Sequence, residues 1–141
     1  MSMTPNAKQA VVQEYIDAIN ANDSARELAM LADDVALHTP IPGLGRGKDA
    51  FQRLMQLYHG AFPEQHVEVR KMLSDGDKVV LLHTHHVTHG GEFMGAPPSG
   101  KRAVIDGVEI FRIANGQIAE FWHADDFIGL AQQLGLTPTP A

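Results

Sequence analysis

Two adjacent carboxylates, Asp125 and Asp126, end one apolar pattern and begin another. Before them, Gln117 to Ala124 reads as a strand; after them, Phe127, Ile128, Leu130, Ala131 and Leu134 recur at helical spacing. A helix starting there needs an acceptor for its first free N–H groups, and one aspartate can supply it. The other is left beside Trp122 and Phe127, where partial desolvation favours the neutral carboxyl and suits it to exchange a proton near neutral pH. Alternation alone does not choose between the two. The strand pairs with the run Ala103 to Ile113 through Asn115-Gly116, a dipeptide suited to a tight hairpin turn. A two-residue turn puts Glu109, Trp122 and Asp126 on one face. A three-residue turn with a glycine bulge shifts the register and sets Arg112 opposite Glu120 as an ion pair. Glu109 and Glu120 are secondary candidates, read as ion-paired or solvated.

The second chemical feature is a crowd of histidines. His83, His85, His86 and His89 fall in one strand-like run, and alternation places His83, His85 and His89 on one side. Three imidazoles on a face could bind zinc, but such sites usually add a carboxylate or thiolate, and the spacing matches no metal signature. The preferred reading is that one or two rings line a polar pocket and the rest are at the surface, with no metal bound. His38 and His123, each near a strand end, are read the same way. The chain has no cysteine, so disulfides, thiol catalysis and thiolate metal sites are excluded. No nucleophile elbow, phosphate-cradling loop or dinucleotide-binding glycine pattern occurs, and the Gly43, Gly45, Gly47 series reads as loop.

These residues need a scaffold. Thr4-Pro5 reads as a helix start, with Val11, Val12, Tyr15, Ile16 and Ile19 on its apolar side. Ser24 and Glu27 form a capping-box pattern for a short second helix, and Val35 to Leu37 suggest a brief strand running into His38. Thr39 to Gly47 is a loop. Phe51, Leu54, Met55, Tyr58, Ala61 and Phe62 mark a third helix stopped by Pro63. From His66 the period becomes two, giving about four successive strands and then a short last helix. Helices followed by consecutive antiparallel strands indicate an α+β domain whose sheet curls around the helices and leaves a cavity at its mouth. The 141 residues suit a single domain, 1–141, with 136–141 expected to fray. A net charge of −6 with scattered lysine and arginine argues against nucleic acid, and no run of about 18 apolar residues suits a membrane. The first residues lack a signal-peptide pattern, so a cytoplasmic location is expected.

The stretch Thr88 to Arg102, THGGEFMGAPPSGKR, with Phe111-Arg112, Asn115-Gly116, Ile118, Glu120, Trp122, Asp126 and Gln133-Leu134-Gly135, resembles the SnoaL-like polyketide cyclase family of the nuclear transport factor 2-like superfamily. The similarity covers nearly the whole chain. It implies a cone-shaped, curled antiparallel or mixed sheet wrapped around N-terminal helices, in the cystatin-like manner, with a hydrophobic pocket. It also implies a cofactor-free aldol ring closure on a small hydrophobic carbonyl compound, with the W-x-x-x-D aspartate, here Asp126, as acid/base and Asp125 as capping or solvated neighbour. His38, His85, Trp122, His123, Tyr15 and Phe62 are the expected pocket wall. The chain departs from the family pattern at Ser99, at Val87 and in the histidines at 83, 85 and 86, which make the pocket more polar than a polycyclic aromatic substrate requires. The functional expectation is a small lyase, isomerase or cyclase using general acid/base catalysis; a non-catalytic binding protein on the same fold is the alternative. A homodimer or larger homo-oligomer is expected through an outer sheet face carrying Val104, Val108 and Phe121.

Overall fold

Thr4 starts the first helix as expected. In the computed structural model, which describes residues 4–136, its side chain accepts the Ala7 N–H at 3.1 Å and caps α1 (Pro5–Asn20). Of the tail 136–141 expected to fray, Leu136 is held by its N–H bond to the Ala131 carbonyl at 2.7 Å, and 137–141 lie outside the described residues. Val12, Tyr15 and Ile16 are buried at one-turn spacing on α1. In α2 (Ser24–Ala29) the cap is Asp23, not Ser24, because its side chain accepts the Arg26 N–H at 3.1 Å. Glu27 is thereby released from a capping box and is buried instead.

β1 (Leu31–His38) is longer than the sequence pattern suggests, and α3 (Gly47–Ala61) follows the loop. Then come β2 (Gln65–Asp75), β3 (Lys78–Thr88), β4 (Arg102–Ala114), β5 (Gln117–Asp125) and α4 (Phe127–Gln133). The five strands form one open sheet in the order β1-β5-β4-β3-β2, with β1 parallel to β5 and every other pairing antiparallel. The sheet is therefore mixed, and the α+β expectation holds. Its inner face packs on α1 and α3 through aromatic contacts, Tyr15 to Phe111 at 5.8 Å and Phe51 to Phe121 at 5.1 Å between ring centroids. A second cluster, including Phe62, Phe93, Ile105, Leu130 and Leu134, closes the α4 end.

The hairpin combines both registers that the sequence allows. Asn115 and Gly116 both have positive φ, and Ala114 pairs with Gln117 across a two-residue turn. Further along, Ile113 pairs with Ile118 but Arg112 pairs with Glu120, so Ala119 is an extra residue, a β-bulge. Every later side chain of β5 changes face. Phe121, expected outside, is buried, whereas Val104 and Val108 stay half exposed as anticipated.

The loop after β3 meets the end of α3 without a side chain between them. Both Gly90 and Gly91 donate backbone N–H bonds to the Ala61 carbonyl at 3.0 Å, and a Cβ on Gly91 would fall 1.8 Å from the Gly60 carbonyl oxygen. Gly91→Ala must separate two backbone segments and is expected to destabilise the fold by about 1–3 kcal/mol, a magnitude typical of overpacking. Urea denaturation measures it, and a midpoint unchanged from wild type would show that the loop can be displaced freely.

Candidate active site

The bulge at Ala119 decides which aspartate enters the molecule. Past it, Glu109 lies opposite His123 and Gly107 opposite Asp125, so Phe121, His123 and Asp125 point inward while Trp122 and Ala124 point outward. Asp126 is exposed; it is the N-cap of α4, accepting the Gly129 N–H at 2.8 Å. The expectation that Asp126 faces the pocket is corrected: the inward carboxylate is Asp125.

On β3, β4 and β5 the residues His83, Gly107 and Asp125 are in register. His83 and Asp125 reach toward each other over the glycine, Nε2 lying 3.2 Å from Asp125 Oδ1. A Cβ on Gly107 would sit 2.2 Å from that oxygen and 2.7 Å from that nitrogen, so no side chain fits between them. Glu109 is two residues along on the same face, and its Oε1 is 3.4 Å from His83 Nε2. One imidazole nitrogen is thus nearly equidistant from two carboxylates. Neither approach has hydrogen-bonding geometry, and both His83 nitrogens, Glu109 Oε2 and Asp125 Oδ1 are buried without a hydrogen-bond partner. Such a concentration of unpaired polar atoms marks a place where a ligand group or water belongs.

Asp125 Oδ2 is held from two sides. It accepts from the Tyr58 hydroxyl at 3.2 Å and from His123 Nδ1 at 3.2 Å. The other His123 nitrogen meets Thr39 Oγ1 at 2.6 Å, so a ring protonated at Nδ1 and accepting at Nε2 satisfies both partners.

This surrounding separates the titrations of the two carboxyls. Burial raises Glu109 to about 7, against the opposing charge of His83. Burial also acts to raise Asp125, but the His123 bond and the adjacent His83 ring outweigh it and hold Asp125 well below the usual carboxylate range. At His83 burial opposes the charged form, yet Asp125 and Glu109 prevail and its pKa is raised. His85 goes the other way, lowered to about 4 by burial and by the charge of His83. Near neutral pH the site therefore contains an ionised Asp125, a Glu109 that shares or holds a proton, and a neutral His85.

These groups line a cavity in which the centre of a water molecule can range over about 50 Å³, walled on the helix side by Tyr15, Phe51, Leu54 and Met55. Beside it is an apolar groove of about 600 Å³ by the same measure, formed by Pro40, Ile41, Leu57, Phe93, Met94 and Phe127. Phe127 of the groove makes an edge-on ring contact at 6.2 Å with His123 of the cavity, and Thr39, the residue before Pro40 of the groove, bonds the same ring.

Of the expected pocket wall, Tyr15, His85 and His123 line the cavity. His38 and Trp122 do not: they stack on each other at 4.9 Å on the outward side, with His38 bonded to Glu120 at 2.6 Å. Phe62 is fully buried in the second core cluster. His83, Glu109 and Tyr58 were not on that wall, since their approach depends on strand register and on α3 docking. The three same-side histidines do not converge on a metal, because His85 bonds Gln65 and His89 bonds Ser99. The set with suitable spacing among the described residues is His83, Glu109 and Asp125, one donor atom each within 4.8 Å of one another.

The model of the family described as SnoaL-like polyketide cyclase matches residues 9–134. Over 97 residues the chain is 30% identical to aklanonic acid methyl ester cyclase DnrD of Streptomyces peucetius, covering 67% of each protein. Among solved structures it is similar to AclR of Streptomyces galilaeus, provisionally named a hydroxylase, with TM-score 0.86, 27% identity and coverage of 98% of this chain and 91% of that one. It is also similar to IdmH of Streptomyces antibioticus, provisionally named a polyketide cyclase, with TM-score 0.80, 25% identity and coverage of 91% and 98%. With the family match spanning most of the chain and the fold agreeing throughout, this protein belongs to the SnoaL-like polyketide cyclase family.

Proposed function

We propose that the protein closes a ring in a small hydrophobic carbonyl compound by general acid/base catalysis, with Asp125 and Glu109 as the acting pair. The observation that carries this reading is the pair itself: two inward carboxyls with unpaired oxygens, their titrations pushed apart, bridged by His83. Environments that separate two carboxyls in this way assign one to be base and the other acid. Asp125 removes a proton from a carbon flanked by carbonyls, and the resulting enolate attacks a second carbonyl carbon, forming the C–C bond. Glu109 gives its proton to the oxygen of the attacked carbonyl, which becomes a hydroxyl. The proton gained by Asp125 then returns to Glu109 past His83, which adjoins both. No electrons are exchanged with a cofactor, and none is required.

The cavity at the carboxyls has room for a water or two or for a small reacting group. The apolar body of the substrate belongs in the adjoining groove, whose size is that of small-molecule sites. Proton exchange tests the first step without knowledge of the natural product. A 1,3-diketone incubated with the protein in D₂O is expected to lose its central C–H signal in proton NMR faster than in buffer. Binding of the diketone with no acceleration of exchange would favour a non-catalytic binding protein on this fold.

Metal is not part of the proposed reaction. Purified protein is expected to carry well under one equivalent by elemental analysis and to keep its melting temperature in chelator, since loss of a bound ligand would lower it. A full equivalent would turn His83, Glu109 and Asp125 into ligands and remove them as an acid/base pair.

Self-association belongs to the same proposal. Val104 and Val108 present apolar side chains on the outer sheet face. A homodimer or larger assembly through that face is expected, and a monomeric mass in light scattering at micromolar concentration counts against it. The acidic net charge and the small site favour neither nucleic acid nor a membrane as partner, and no helix among the described residues is long and apolar enough to cross a bilayer.

A further inference from the structure

Across the cavity from the carboxyl pair runs a second polar line that the proposed reaction does not use. Glu27 is 1% exposed, an unusual position for a carboxylate in a short helix. Its Oε2 lies 2.8 Å from His59 Nε2; His59 Nδ1 lies 3.1 Å from Gln65 Nε2; Gln65 Oε1 lies 2.8 Å from His85 Nε2. α2, α3, β2 and β3 each contribute one member, and all four line the cavity.

The donors and acceptors of this line can be ordered from one end. An ionised carboxylate only accepts, so His59 donates from Nε2. A neutral His59 then has a bare Nδ1, which must receive the Gln65 amide N–H. That fixes the amide orientation and turns Gln65 Oε1 toward His85, where it can only accept. His85 must therefore donate from Nε2, and a neutral ring protonated there has no proton on Nδ1. Reversing the Gln65 amide would require a proton on both nitrogens of His59 or a protonated Glu27, and would place the His85 proton on Nδ1. The ring is also held in place by Tyr58, which stacks on it at 5.8 Å. His83, His86 and His66 disfavour a positive charge on it while Asp125 favours one, and burial is the largest influence.

We propose that Glu27, His59 and Gln65 are positioning residues that hold His85 as a neutral ring protonated on Nε2, leaving Nδ1 as a proton acceptor for a hydroxyl or enol group of the bound ligand. The inference goes beyond the carboxyl pair and stands whether or not Asp125 is the base, because its test reads the ring itself. A buried carboxylate three bonds away thereby determines which nitrogen of a cavity histidine is available. The function is selection: a ligand offering O–H at that point is retained, and one offering only carbonyl oxygen meets an unprotonated nitrogen and is not.

Long-range ¹⁵N–¹H correlation spectra of ¹⁵N-histidine-labelled protein separate the two neutral tautomers. The His85 signals are identified by their loss in His85→Phe. In the wild type near pH 7, His85 is expected to show a protonated Nε2 and an unprotonated Nδ1, without averaging. Gln65→Leu and Glu27→Ala each break the line and are expected to give averaged shifts, whereas Gln65→Glu keeps an acceptor facing His85 and is expected to keep a proton on Nε2. A wild-type His85 protonated on Nδ1, or already averaged, overturns the proposal. So does a folded Gln65→Leu or Glu27→Ala variant in which the Nε2–H form persists unchanged. If one of those two variants does not fold, the other and the wild-type spectrum still decide.

Discussion

Asp125→Asn is expected to lower turnover roughly 10²- to 10⁴-fold, the usual worth of one general acid/base group, while Asp126→Asn leaves it near wild type. Asparagine keeps the size of the side chain and an oxygen that can accept from Tyr58 and His123, so the cavity stays intact and only proton exchange is lost. Near neutral pH the melting temperature is expected to fall, because the folded protein favours the ionised form of Asp125 through His123 and His83, so turnover is compared at a temperature where the variant is folded. The neighbouring position behaves as a cap. Asparagine serves there about as well as aspartate, but Asp126→Ala, which leaves the Gly129 N–H without its acceptor, is expected to cost about 1 kcal/mol in stability with little effect on rate. Turnover of a diketone-type test substrate and thermal melting, measured on all three variants, separate the roles. Full activity in Asp125→Asn would sink the mechanism.

A second large effect concerns Glu109 and pH. Its carboxyl is raised from an ordinary 4.5 to about 7 in the folded protein, chiefly by burial. Below about pH 4.5 it is protonated in both states and contributes no pH dependence. Between there and about 7 the unfolded chain has released the proton and the folded protein has not, so the folded state binds more protons and stability falls as pH rises. Glu109→Gln removes this dependence. The variant is expected to gain on the wild type by about 1–3 kcal/mol between pH 4.5 and 8, from a shift worth about 1.4 kcal/mol per unit. His83, with its raised pKa, also loses stability as pH rises, whereas His85 and Asp125, with lowered values, gain it. Those groups are present in both proteins, and of them His83 is raised in part by Glu109, so the comparison of guanidinium unfolding at the two pH values reads Glu109 together with its coupling to His83. Parallel curves would mean that Glu109 titrates as an ordinary surface carboxyl and holds no proton to donate.

The elements were legible in sequence wherever a local rule governs them. Thr4-Pro5, the apolar face of α3 and the Asn115-Gly116 turn are decided by capping, periodicity and positive φ, and each lies where the pattern puts it. β1 was underestimated because its length is set by parallel pairing with β5, a partner distant in sequence. The site was legible as a composition, an acidic pair and a set of histidines near a strand end, but not as an arrangement. One extra residue at Ala119 reverses the faces of β5, so Asp125 replaces Asp126 inside and Trp122 leaves the cavity with His38. Alternation carries no mark of a bulge when both faces of the strand hold apolar residues, as Ile118, Ala119, Phe121 and Trp122 do. Nor could Glu27 be read as a cavity residue: its match to a capping box gave it a satisfactory local explanation, and the cap at Asp23 then made that role vacant.

The parallel pairing of β1 with β5 also sets a schedule for assembly. Thr39, at the end of β1, and His123, on β5, meet across 84 residues, and closing so long a segment is entropically costly before any contact offsets it. A ribosome releases the chain from the N-terminus, so α1, α3 and the first three antiparallel-paired strands exist before β5 does. Until β5 inserts between β1 and β4, two strand edges stand open and the bond from Thr39 to His123 cannot form. Insertion of a single strand closes both edges and delivers Asp125 to Tyr58 and His83 in the same event. A molecule lacking that insertion therefore exposes two more pairing edges than the finished open sheet, and the step that covers them is the step that arms its site.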